Sequence, residues 1–230
     1  MPSAQRKQTL ATAALKAAAN LRNNPQHDVY QYLTETRGLT PETLATFHLG
    51  LIEDGDPDFG DHAGWLSIPY LSPTGFVDLR FRNPDPDGKP KYKSLPGHSG
   101  RIFNPSAILT ARDTIVIAEG EFDTIILNQV GLHAIGVPGA SAWRKPFELA
   151  VHGFENIIIC EDGDDDGAGK GLTATIVKGL DWAKTVRFEG TDVNDYYLAH
   201  GAAALREKVL APIQSAPAST EDEHDDDYGY

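Results

Sequence analysis

Apolar positions divide the chain into two stretches with different rhythms. From Asp113 onward, short apolar runs alternate with longer segments rich in helix formers. The runs cover 115–118, 133–137, 157–160 and 185–188, and helices are expected over 122–129, 143–151, 169–179 and 196–210. Uninterrupted β-branched runs predict strands buried on both faces, and their alternation with helices through short connections predicts a parallel sheet flanked by helices. Before Asp113 the pattern is mixed. An Ala-rich, weakly amphipathic helix reaches to about residue 20, and a second helix spans 27–37. A third starts at Thr40 as N-cap with Pro41 as its first residue, and Gly50 terminates it. Two strands, 65–70 and 75–82, form a hairpin through Leu71-Ser72-Pro73-Thr74. In the second of them Phe76, Asp78, Arg80 and Arg82 alternate with Val77, Leu79 and Phe81, so both arginines share one face. Lys91 and Lys93 likewise share a face of a further strand-like segment, with Tyr92 on the other, and 101–104 closes this region. The expected fold class is therefore α/β: a small α+β N-terminal basic subdomain, then a parallel sheet flanked by helices. The expected boundaries are 1–26 for an N-terminal helical extension, 27–112 for the basic subdomain and 113–210 for the parallel-sheet domain. Residues 211–230 are polar and acidic with Pro and Ser, and are expected to be disordered.

Composition changes this picture in three places. At 230 residues and 40% hydrophobic, the chain has enough apolar material for a core. The single cysteine, Cys160, excludes an internal disulfide and a cysteine-rich zinc site, and its place in an apolar run makes it core rather than nucleophile. The net charge of −13 argues at face value against a polyanionic partner. The charge is uneven, however. Glu221-Asp222-Glu223-His224-Asp225-Asp226-Asp227 supplies much of the excess, whereas Arg80-Phe81-Arg82 and Lys89-Pro90-Lys91-Tyr92-Lys93 are locally basic. Neither a signal peptide nor a long apolar segment is visible, so a cytoplasmic protein with no membrane contact is expected.

The candidate chemistry lies where strands end. Glu161-Asp162-Gly163-Asp164-Asp165-Asp166 places five carboxylates in six positions directly after an apolar run. An acidic loop alone reads as a solvated turn. Here it leaves the carboxyl end of a strand, where open α/β sheets bind ligands. A second strand also ends in acid, at Glu119-Gly120-Glu121-Phe122-Asp123, and neighbouring parallel strands would bring both sets to one edge. Crowded carboxylates of this kind suit a hard divalent cation. Asp162 and Asp164, two apart, could both reach it, and Glu119 and Asp123 approach from the adjacent strand end. The same-face arginines Arg80 and Arg82, with Lys91 and Lys93, suit a phosphate backbone, and Lys170 stands near a helix start.

These segments together resemble a family. Glu119-Gly120-Glu121-Phe122-Asp123 resembles the EGxxD motif of the Toprim domain, Asp162-Gly163-Asp164-Asp165-Asp166-Gly167 its DxDxxG motif, and Asp192-Val193-Asn194-Asp195 its DxND element. Gly136-Val137-Pro138-Gly139-Ala140 is similar to the glycine-rich turn between them. Upstream, 32–39, Ile68-Pro69 and Lys91-Tyr92-Lys93-Ser94-Leu95-Pro96-Gly97 resemble the N-terminal half of the polymerase core of bacterial-type, DnaG-like primases. The resemblance covers roughly 27–210 and implies a Toprim-type parallel sheet in a compact, phage-encoded primase core. It implies synthesis of short RNA primers on single-stranded DNA from ribonucleoside triphosphates, by nucleotidyl transfer with Mg²⁺ or Mn²⁺. It implies Glu119, Asp162 and Asp164 as catalytic residues, with Glu119 as metal ligand or general base and Asp123 as a further ligand. Asp166, where the family often has Ala, ranks lower, and Asp192 and Asp195 support the site. Arg80, Arg82, Lys91, Lys93 and Lys170 would hold template or nucleotide. Such primases usually carry an N-terminal zinc module, which one cysteine cannot build. No zinc is expected, and template choice would fall to a replicative helicase or a separate recognition protein. Two other readings share the motifs: a Toprim metal-dependent nuclease, which would lack the basic upstream half, and a non-catalytic Toprim-fold replication protein.

Overall fold

The structure, a computed structural model, describes residues 2–85, 87–97, 100–138, 142–163 and 168–214. Ser3 caps α1 (Ala4–Asn23) by accepting from the Arg6 backbone N–H, and the helix lies across the first sheet. It extends past the expected end because Leu21 is core, packed with Leu33 and Leu49. The helix expected over 27–37 begins as α2 (Asp28–Gln31), capped by the His27 imidazole, and continues as a π-helical turn, Tyr32–Thr36. Thr40 caps α3 (Pro41–Thr46), as the Thr-Pro pair predicts. Gly50 does not simply end that helix. It opens a short strand, β1 (Gly50–Leu51), pressed against α1. The hairpin is β2 (Leu66–Ser72) and β3 (Gly75–Arg82), and β4 (Tyr92–Ser94) pairs with β3, giving an antiparallel sheet in the order β1-β2-β3-β4.

One detail of the expected alternation changes. A register shift at Tyr70/Leu71 sets Tyr70 opposite Asp78 but Leu71 opposite Phe76, so β3 carries one extra residue, Val77. Phe76 therefore packs with Leu79 and Phe81 against α1, not beside the arginines, and Val77 joins the opposite core with Ile68 and Tyr70. Asp78, Arg80 and Arg82 keep their common face, opposite Tyr70, Ile68 and Leu66 of β2.

A short helix absent from the expectations, α4 (Ser106–Thr110), leads to the second sheet. There β5 (Thr114–Ala118), α5 (Glu121–Gln129), β6 (Ala134–Gly136), α6 (Lys145–Val151), β7 (Asn156–Gly163), α7 (Ala168–Val177), β8 (Lys184–Glu189) and α8 (Val193–Gln214) follow in sequence. The four strands are parallel in the order β6-β5-β7-β8. Both faces are buried, which accounts for the unalternating runs. Ile115, Ile117, Ile157 and Ile159 face Leu172, Ile176 and Val151 of α6 and α7. Val116, Ala118, Ile158 and Cys160 face α5, α8 and, beyond them, Ile68 and Tyr70 of the first sheet in one continuous core. Gly201, at φ 82°, breaks α8. No helix among the described residues is long and apolar enough to cross a membrane.

Candidate active site

The parallel register places three acid-bearing segments at one edge. Ile117 of β5 is level with Ile159 of β7, and Asp162 of β7 is level with Phe188 of β8. The chain leaves β5 at half-buried Glu119, leaves β7 past Asp162 and leaves β8 toward Asp192, all at the carboxyl ends. β7 runs three residues beyond its apolar core because Gly163 donates to the Thr191 carbonyl at 2.9 Å. Only glycine fits there, since a Cβ would stand 1.8 Å from the Phe188 carbonyl oxygen.

Asp123 occupies the middle of this edge. Two residues into α5 and 8% exposed, its carboxyl lies well above the ordinary range. Burial is the main cause, and the negative charges of Asp162 and Asp192 add to it. The Arg37 guanidinium and the Asn194 backbone N–H act in the opposite direction without prevailing. Cys160, immediately before Glu161 on β7, shares this field: burial, then Asp123 and Asp162, hold its thiol protonated. A carboxyl that resists ionising beside other acids marks a place where a proton or a divalent cation is stabilised. Among the described residues no three His, Cys, Asp or Glu side chains could hold a metal by themselves. Asp164 and Asp166, expected as ligands, lie outside the described residues. Mg²⁺ takes one or two carboxylates and keeps several waters, so Asp123 and Asp162 fit as part of such a site.

Asp192 caps α8, its carboxylate accepting the Asp195 backbone N–H at 2.7 Å, while the Asp195 side chain is exposed on the helix surface. Lys170 is exposed on the first turn of α7. The structure separates the two cationic pairs. Arg80 and Arg82 face the parallel sheet, and Tyr92 stacks on both, 4.3 and 5.1 Å from their guanidinium carbons. Lys93, level with Phe81, lies on the opposite face over Trp65 at 4.6 Å, and Lys91 precedes β4 and is exposed.

Several residues of this region lie in the matched segments, but the sequence assigns them no role. Arg37 donates to Tyr32 Oη at 2.7 Å and to Asn194 Oδ1 at 2.8 Å, and Asn194 Nδ2 returns a bond to the Arg37 carbonyl at 2.9 Å. Arg37 and Arg82 lie over the Phe122 ring at 4.9 and 5.1 Å. Glu121, beside Asp123 in sequence, is 3% exposed and is held by Tyr70 and Arg80. An amide set between acids in Asp192-Val193-Asn194-Asp195 is a hint in the sequence, and the structure buries that Asn194 completely.

The chain and its fold are similar to known proteins. No family model matches the chain. Over 154 residues, 64% of the chain, it is 35% identical to Gene 57 protein of Mycobacterium phage D29 and covers 99% of that protein. The chain belongs to the same family as that phage protein. A DNA primase of Pasteurella multocida (strain Pm70) is 24% identical over 226 residues, spanning 79% of the chain and 39% of the primase. In three dimensions the chain is similar to the RNA polymerase domain of Mycobacterium tuberculosis primase DnaG. The TM-score is 0.74 at 20% identity, over 91% of this chain and 84% of that one. The primase fragment of the bacteriophage T7 primase-helicase protein gives a TM-score of 0.59 at 20% identity, over 76% and 72%. The fold is therefore that of the DnaG-type primase catalytic core, with its parallel sheet flanked by helices.

Proposed function

We propose that the chain is the polymerase core of a DNA primase, a DNA-directed RNA polymerase of Toprim type that makes short RNA primers on single-stranded DNA by metal-dependent nucleotidyl transfer. The observation that carries this reading is Asp123, buried between the charges of Asp162 and Asp192 at the strand ends of a DnaG-type fold. Asp162 and Asp123, completed by Asp164, would hold Mg²⁺ or Mn²⁺, with Asp166 and Asp195 at the margin. A divalent cation there supplies Lewis-acid activation of a primer 3′-hydroxyl and offsets charge on the triphosphate. Glu119 stands two residues before α5 and is the group to accept the hydroxyl proton. Arg37, held by Tyr32 and Asn194, keeps a positive charge beside the acids, where nucleotide phosphates would arrive. Arg82, Lys91 and Lys170 are the cations for template and nucleotide phosphates, and Lys93, turned to the opposite face over Trp65, is left out of that set. A replicative helicase or separate template-recognition protein would supply template choice.

The test incubates the protein with single-stranded DNA, labelled ribonucleoside triphosphates and Mg²⁺ or Mn²⁺. Labelled oligoribonucleotides are expected, and none should form when the metal is chelated. Degraded template would point to a metal-dependent nuclease instead, and neither product to a non-catalytic replication protein.

A further inference from the structure

Glu121, the first residue of α5, lies in sequence between Glu119 and Asp123, yet it points away from Asp123. Successive helical residues are turned by about 100°, so Glu121 and Asp123 face nearly opposite directions. Asp123 faces the parallel-strand ends, and Glu121 faces the first sheet. A buried carboxylate needs compensating partners. On one oxygen, Oε1, it accepts the Tyr70 hydroxyl from β2 at 2.6 Å and Arg80 Nη1 from β3 at 2.6 Å. The Arg80 guanidinium is covered by Tyr92 and is 21% exposed. Burial and Glu121 together also keep the Tyr70 hydroxyl protonated, so it serves as donor. The bonds join the first sheet to the first turn of α5, the turn that carries Asp123 and that Glu119 precedes by two residues. On the next residue, Phe122 is held between Arg37 and Arg82.

We infer that Arg80 and Glu121 are a positioning pair: their bond between the first sheet and α5 aims Asp123 at the metal-binding edge, and Arg80 is not a template contact. The inference rests on the metal-site reading above. It predicts that breaking the pair weakens divalent-metal binding while leaving template affinity unchanged. Groups that orient metal ligands typically change affinity by about 10- to 100-fold when removed.

The test measures Mn²⁺ binding by electron paramagnetic resonance and single-stranded DNA binding by fluorescence anisotropy. It compares the full chain with Glu121→Gln, Arg80→Met, Arg80→Lys and the double Arg80→Met/Glu121→Met. Circular dichroism on each variant reports folding, and the double variant removes the buried charges together, so it keeps the test open if Arg80→Met unfolds. Roughly tenfold weaker Mn²⁺ binding is expected in Arg80→Met, with partial recovery in Arg80→Lys, no further loss in the double variant and template affinity within about twofold of the parent. Weaker template binding with unchanged Mn²⁺ affinity would overturn the inference, as would unchanged Mn²⁺ affinity in the folded double variant. If the parent chain itself binds no Mn²⁺, the metal-site reading fails first and the inference with it.

Discussion

At the scale of the residue, Asp123 sets the character of the edge. Its folded-state carboxyl is raised by burial and by its acidic neighbours, so its stabilising contribution is present in full below the unfolded carboxylate range. That contribution is lost as pH rises toward the raised folded value. Above the unfolded carboxylate range the metal-free fold therefore bears a cost at this site that grows with pH. Asp123→Asn removes it, and the metal-free variant should be about 1 kcal/mol more stable at pH 8, a rise in Tm of about 2–4 °C that shrinks on acidification. Differential scanning calorimetry from pH 5 to 8 checks this, and the same variant should bind Mn²⁺ more weakly. Asp162→Ala and Glu119→Ala should each lower primer synthesis by at least about 10²-fold, the scale expected when one group acting on developing charge is lost. Their far-ultraviolet circular dichroism should stay that of the parent. The acids Glu119, Asp123 and Asp162 were legible in the sequence because strand-end carboxylates stand out against apolar runs. Arg37 was not, because its role depends on Tyr32, Phe122 and Asn194, which only the fold brings together.

At the scale of the element, close approach of backbone to backbone fixes the layers. Gly50 on β1 meets α1 so tightly that a Cβ would lie 2.5 Å from the Ala17 carbonyl carbon and 2.7 Å from the Ala18 nitrogen. Backbone on both sides leaves no flexible side chain to give way, so Gly50→Ala should cost about 1–3 kcal/mol, the range for overpacking. Urea denaturation should show a lower midpoint at unchanged slope. The order of strands and helices after Asp113 was legible because burial on both faces imposes continuous apolar runs. The two-residue β1 was not, since Gly50 reads equally as a helix stop. The bulge at Val77 was also hidden: a perfect alternation of apolar and polar residues gives no sign that an extra residue swaps Phe76 and Val77 between faces. The lysine and arginine pairs failed to converge for a related reason. Same-face spacing within a strand says nothing about which face a neighbouring strand presents, and pairing of Phe81 with Lys93 turned the lysine away.

At the scale of the whole molecule, the proposed activity requires an acidic chain to attract a polyanion. Under that proposal local arrangement would do this: Arg37 and Arg82 cluster where the two sheets meet, while six carboxylates of the −13 excess stand in 221–227 with no Lys or Arg after residue 208. A tail of that composition repels nucleic acid or competes with it for the chain's own cations, over a range set by the Debye length, about 10 Å at 0.1 M salt. Truncation after Gln214 should therefore tighten single-stranded DNA binding several-fold at low salt. The gain should vanish toward 0.5 M salt, because screening removes the repulsion and the phosphate contacts together. Anisotropy titrations of both chains across a salt series give the measurement, and parallel curves offset equally at every salt would show that the tail acts by some route other than charge. The same truncation tests the tail as a docking segment for a basic patch on a replication partner. Pull-down of a helicase or single-strand-binding protein should fall if the tail is the contact, and unchanged capture leaves the tail with its electrostatic role alone.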